Sequence, residues 1–153
     1  KNIKINNKNT WSIVYIYKAL YIKILMSKEM IVQFNQIFTN FLSQLTPKIG
    51  TKYLFYVEKI LKVNSLILIE NFIIKVLPHK EQIENKDDTY FTDESFKSKL
   101  IEENNLDSDT TLNEILRLQT IYFEVDKQSQ KSIWTILNAL VKLSSQYLEA
   151  KLI

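Results

Sequence analysis

Apolar residues return every three or four positions along most of this 153-residue chain, and that period commits it to helices. From Ser27 onward, Met30, Ile31, Phe34, Ile37, Phe38, Phe41, Leu42 and Leu45 line one face of a helix. Ser27 is the expected N-cap, and Thr46-Pro47 with Gly50 is the expected end. Thr51 is placed to cap a second helix striped by Tyr53, Leu54, Val57, Ile60 and Leu61, which Phe55 and Tyr56 widen. Asn64-Ser65 reads as a break, with Ser65 a new cap. Leu66 to Leu77 is apolar except for Glu70, Asn71 and Lys75. Its Leu-Ile-Leu-Ile start has strand-like composition, but its length favours a central helix, the most buried of all, ended by Pro78.

Residues 84–93 are polar, acidic and loop-like. Asp93 is placed to cap a short helix with Phe96, Leu100 and Ile101, ending near Asn104-Asn105. Thr111-x-x-Glu114 has the form of a capping box, opening one helix through Leu112, Ile115, Leu116, Leu118, Ile121, Tyr122 and Val125. A last helix restarts at or near Ser129, with Ile133, Ile136, Leu137, Leu140, Val141, Ser144, Tyr147 and Leu148 on one face and Trp134 in the core. No hairpin signal, internal repeat or low-complexity linker interrupts this order. The expectation is all-α: a single-domain bundle of six or seven helices over residues 27–153.

Residues 1–26 stand apart. A basic stretch, residues 1–10, precedes the mostly apolar residues 11–26, the order of a signal peptide. Lys18 and Lys23 interrupt the apolar run, no small-residue cleavage site follows, and the run falls short of the ~20 residues a membrane span needs. An interfacial or packed helix fits better than an inserted one. Met26 opens a plausible translation start, so the segment is either a helix or an upstream extension.

Composition narrows the chemistry. With one Gly, one His, one Arg and no Cys, glycine-rich phosphate loops, zinc sites and disulfides have no basis. The basic side chains are nearly all Lys beside abundant Ile and Asn, which reads as an AT-rich coding source. Lysine also lacks the bidentate fork that suits base and phosphate contacts. Residues 1–80 hold twelve Lys against three acids (+9), while residues 81–114 hold three Lys against eleven acids (−8). Without residues 1–25, which carry five Lys and no acid, the remaining chain has fifteen basic groups and seventeen acids, or −2.

The candidate site is the acidic-aromatic segment Asp87, Asp88, Tyr90, Phe91 and Asp93. Aromatics anchor protein contacts and charges orient them. The plainer reading is that Tyr90 and Phe91 tuck into the core and pin the loop. Neighbours in an extended segment point to opposite sides, so the sharper expectation is a split, one of the pair inward and the other outward. No D-x-D-x-D-G calcium loop is present, and Asp107-x-Asp109 fails the same test. His79, after Pro78, suits a helix end. Lys52, Lys59 and Lys62 form a basic edge that reads as solvated rather than phosphate-binding. No catalytic residue, metal or cofactor is indicated.

Within residues 63–91, Phe72, Ile73, Val76, Pro78, Lys80, Ile83, Asp87, Asp88, Tyr90 and Phe91 form a pattern that resembles uncharacterised proteins of giant DNA viruses. Asn64-Ser65 stands where that pattern often has Asn-Pro. The resemblance implies viral origin and a setting in the infected-cell cytoplasm or the virion, and no activity. The reading is a non-enzymatic interaction or structural protein with a protein partner. The alternatives are a nucleic-acid accessory factor using the lysine-rich first half, and more weakly a carboxylate-dependent hydrolase.

Overall fold

The computed structural model describes residues 7–92 and 108–151, and every element in them is helical. In chain order these are α1 (Asn7–Ile49), α2 (Lys52–Val63), α3 (Ile67–Lys75), a 3-10 turn (Leu77–His79), α4 (Lys80–Glu84), α5 (Thr89–Thr92), α6 (Ser108–Arg117), α7 (Gln119–Glu124) and α8 (Lys127–Lys151). The expected all-α bundle is present. The C-terminal half of α1 packs along α8, α3 lies against both, α2 folds back on α1, and α6 covers α3. The short helix expected after Asp93, with Phe96, Leu100 and Ile101, lies outside the described residues.

The core is built where the apolar stripes meet. Phe34, Phe38, Phe41 and Leu42 of α1 face Leu68, Ile69 and Phe72 of α3 and Ile133, Leu137 and Leu140 of α8, all buried. The Phe34 and Phe72 rings meet edge to face, with centroids 5.2 Å apart. The 66–77 stretch is helical over 67–75, and it is deeply set: of its twelve residues Ile74 alone is exposed, while Ile73 and Leu77 are half-buried. The longer α8, flanked by α1, α3 and α4, buries a similar share of its residues but exposes a whole polar face.

Local signals set the helix ends. Pro47 sits in the last turn of α1 and has no N–H for the Ser43 carbonyl; Thr46 Oγ1 donates to that carbonyl instead, at 2.8 Å. Gly50 then takes φ +77° and donates its N–H to Thr46 O, closing the helix. Thr51 occupies the cap position of α2, but its side chain makes no capping bond. The break at Asn64-Ser65 is real, and its agent is Asn64 rather than Ser65. The Asn64 Oδ1 accepts the Leu66 N–H at 3.0 Å, while Asn35 Nδ2 of α1 donates to Ser65 O at 2.9 Å.

Four boundaries differ from expectation. Ser27 caps nothing: α1 runs through it without interruption, and Ser27 Oγ donates to Lys23 O at 2.9 Å. Thr111 lies inside α6, and Glu114 accepts from Thr120 Oγ1 at 2.7 Å instead of closing a capping box. The start of α8 is capped by Asp126, whose Oδ1 accepts the Ser129 N–H at 3.1 Å. Ser129 is instead buried in the first turn, where its Oγ accepts from Lys48. Finally, the single helix expected from 112 to 125 is two, α6 and α7, broken at Leu118.

Leu118 adopts φ +58°, ψ +14°, a left-handed conformation unusual for leucine, with its side chain fully buried. The left-handed backbone costs about 1–2 kcal/mol, and truncating a buried Leu costs about 2–5 kcal/mol, so burial wins. The break is pinned from α5: Tyr90 Oη donates to the Arg117 carbonyl at 3.0 Å, and Gln119 Nε2 donates back to the Tyr90 carbonyl at 2.7 Å.

Candidate functional site

The acidic-aromatic segment folds as a structural anchor. Chain reversal after α4 uses Lys86 at φ +50°, with the Asp87 N–H donating to Gln82 O at 2.9 Å. Asp87 Oδ1 then accepts from the Thr89 N–H at 3.0 Å and from Thr89 Oγ1 at 2.7 Å, and the Asp87 carbonyl accepts the Tyr90 N–H. Those bonds hold the Asp87 carboxyl below the usual carboxylate range, the Thr89 hydroxyl contributing most. Asp87 is thus the N-cap of α5, and Asp88 is exposed beside it.

Both aromatics go inward and pin the loop, as the plainer reading has it, which corrects the expected split. Tyr90 and Phe91 are each 1% exposed. Residues 89–92 form a helical turn rather than an extended segment, so alternation does not apply, and adjacent side chains ~100° apart both reach the core. Phe91 stacks on Tyr122 of α7 at 3.8 Å between centroids and meets Trp134 of α8 edge-on at 4.7 Å. Burial also raises the Tyr90 hydroxyl well above the ordinary tyrosine range. The docking surface built on Asp87, Asp88, Tyr90, Phe91 and Asp93 therefore has no aromatic anchor at the surface, and Asp93 lies outside the described residues. Phe72, Val76 and Ile83 are buried as well. The residues singled out within 63–91 thus fall largely on packing and capping positions.

The other singled-out groups sit in structural roles. His79 lies in the 3-10 turn, its Nδ1 3.1 Å from Gln82 Oε1 and its ring edge-on to Tyr90. Lys52, Lys59 and Lys62 are exposed on α2. Lys48 Nζ donates to Asp126 Oδ1 and Ser129 Oγ, both at 2.7 Å, tying the end of α1 to the start of α8. The Lys48 bond, followed by those from Ser129, holds the Asp126 carboxyl far below the ordinary range. Among the described residues, no group of three or more His, Asp or Glu side chains is placed to hold a metal ion.

Among the described residues, the apolar side chains that stand apart from the core are those of the first half of α1. Every side chain from Thr10 to Ile22 is exposed, and Met30 is the first apolar side chain of α1 packed on the core. The stretch before it, residues 7–26, extends for about 30 Å. Its surface is mostly apolar, interrupted by Thr10, Ser12, Lys18 and Lys23: Trp11, Val14, Tyr15, Tyr17, Tyr21, Ile22, Leu25 and Met26 are all exposed. One face differs from the rest. Ile13, Ile16, Leu20 and Ile24 repeat at helical spacing, are wholly aliphatic, and are 52%, 58%, 47% and 55% exposed. That stripe passes through Ser27 into Ile31, Phe34, Phe38, Phe41 and Leu45, the face α1 buries in the bundle. The opposite face carries Lys18 among its apolar groups. Among the described residues, no helix is long and apolar enough to cross a membrane.

Treating Ser27 as a helix start hid this site in the sequence. The signal that finds it is the unbroken three-four spacing from Ile13 to Leu45, with no Gly or Pro before Pro47. No family model, curated protein or solved structure matches the chain.

Proposed function

We propose that this protein acts by binding another protein, without catalysing a reaction, and that the N-terminal half of α1 is its docking element. The observation that carries this reading is the bare aliphatic stripe Ile13-Ile16-Leu20-Ile24, continuous with a stripe that is buried further along the same helix. Exposed apolar patches of this kind mark interaction surfaces. A surface-lying membrane helix would instead carry a strongly polar face.

The absence of native cysteine makes the test clean, because Ile16→Cys supplies a unique attachment point. A photo-crosslinker placed there is expected to tag a single protein species in the native source. The same probe at Lys59→Cys, on exposed α2, should tag no specific protein. Equal, diffuse labelling from both positions would sink the reading.

The nucleic-acid alternative draws on one observation: residues 1–28 hold six Lys and no acid. Binding to DNA or RNA that weakens steeply with salt would favour it. The resemblance over residues 63–91 supports viral encoding and action in the infected cytoplasm or virion, which mass spectrometry of purified virions would check.

A further inference from the structure

We propose that the partner of the α1 arm is a second copy of this chain, the two arms pairing antiparallel along Ile13, Ile16, Leu20 and Ile24. The proposal rests on the reading of the arm as a docking element and names its occupant.

Four observations converge. First, the stripe is continuous with an established interface. The side chains in phase with it further along α1 seat against α8 and α3, so the arm offers the kind of surface this helix already packs with. Second, the stripe is self-complementary in the antiparallel sense. A two-fold axis near residues 18–19 brings Ile13 level with the second copy's Ile24 and Ile16 level with its Leu20, aliphatic on aliphatic throughout. This is the isologous contact a symmetric dimer needs.

Third, charge selects the orientation. Before Glu29 the chain carries six Lys and no acid. Parallel pairing would set Lys23 beside Lys23. Antiparallel pairing moves each Lys23 level with Val14 of the other arm, about 14 Å from its counterpart, beyond a Debye length at ordinary salt. Lys18 lies on the far side of the helix, so Lys23, at the edge of the stripe, is the charge that the order of pairing must keep apart. Fourth, the length fits. The same axis brings Asn7 level with the second copy's Met30, where α1 begins to pack on its own core. Each arm then runs level with the other along its whole described length, and antiparallel pairing sets the two bodies at opposite ends.

Two arms of ~30 Å bury on the order of 1,000 Å² in all, the low end for a specific interface, so dissociation constants in the micromolar range are expected. Sedimentation velocity of the full chain from 1 to 200 µM is the test (roughly bracketing that range). The sedimenting mass should double with concentration. Ile16→Glu/Leu20→Glu should stay monomeric at every concentration while melting as the parent does, because both positions are exposed in the single copy. Under oxidation Leu20→Cys, near the axis, should form a disulfide with itself. Ile13→Cys alone should not, and a mixture of Ile13→Cys and Ile24→Cys chains should. A dimer that survives the double glutamate variant overturns the arm as its seam, and self-linking of Ile13→Cys overturns the antiparallel order. A parent chain that stays monomeric overturns the second copy. That holds also if it floats with phosphatidylserine vesicles, which would assign the arm to lipid. If that monomer's Ile16 crosslinker still tags a different protein, docking stands without self-pairing; if it tags nothing, both readings fall.

Discussion

The two halves of α1 share one helix axis and one aliphatic-aromatic stripe, yet residues 10–26 are bare where residues 34–45 lie in the core. Nothing in the local sequence separates them: the spacing is the same, and Ser27 between them is absorbed as an ordinary helix residue bonded to Lys23 O. The difference lies in what covers each half. Phe34 to Leu45 join the core that α3 and α8 complete, whereas every side chain from Thr10 to Ile22 is exposed. Hydrophobic periodicity therefore locates a face without saying whether the same chain supplies its cover. Where a hydrophobic pattern runs past the described end of its own bundle, it leaves the face on which the proposed partner would sit.

The largest expected effect is the contrast in truncation cost. Phe38→Ala should cost about 3–5 kcal/mol in urea unfolding, as should Phe72→Ala across the core from it. Leu20→Ala and Ile24→Ala, measured where the protein is monomeric, should fall within about 0.5 kcal/mol of the parent. A loss at Leu20 as large as at Phe38 would mean that the arm packs within its own chain, and the contrast would collapse. Next in size is α5. Phe91→Ala and Tyr90→Ala should both be strongly destabilising, because both rings are in the core. Tyr90→Phe separates ring from hydroxyl: it strands the Arg117 carbonyl and should cost about 1–3 kcal/mol. It should also remove a pH effect. The buried Tyr90 hydroxyl titrates above its unfolded value, so its contribution is complete below about pH 10 and is lost as pH rises further. Thermal melts from pH 8 to 11 should show a smaller decline in Tyr90→Phe than in the parent (roughly the window in which unfolded tyrosine ionises).

Within α3 the account is sharpened by neighbours. Ile73→Ala should destabilise clearly less than Phe72→Ala, and Ile74→Ala less again, following half-burial and exposure. Equal losses at all three in urea melts would contradict the one-sided packing of α3. The smallest effect belongs to Asp126 and Asp87, both solvent-facing caps. Their folded carboxyls titrate below the unfolded value, so each contributes fully above about pH 4 and loses that contribution as pH falls. Asp126→Asn should flatten the acid limb of a melting-temperature profile, more at low salt than at high. An acid limb identical to the parent's would show that the Lys48–Asp126 contact is screened out.

Much of the fold was legible because its signals are local. Thr46-Pro47 with Gly50, the break at Asn64 and the stop at Pro78 each act through a neighbouring backbone group, so the residue alone announces them. The break at Leu118 was not legible. Nothing at that position says turn, and the conformation is imposed by burial of the Leu118 side chain and by Tyr90, far off in sequence, donating to the carbonyl before it. The same distance explains the candidate site. In Asp-Asp-x-Tyr-Phe, acids and aromatics on a polar loop suggest that at least one ring is displayed. The partners that draw both rings inward, Tyr122 and Trp134, sit on α7 and α8. The arm was missed for the opposite reason: its signal was present in the spacing, and a capping residue was given more weight than the period running through it.

The central claim, that one helix has a half covered by its own chain and a half left for a partner, is tested most directly by amide hydrogen exchange along α1 at two protein concentrations. The account predicts that residues 31–45 are strongly protected at both, whereas residues 11–26 exchange fast when dilute and gain protection when concentrated. Equal protection of the two halves in the dilute protein would contradict it.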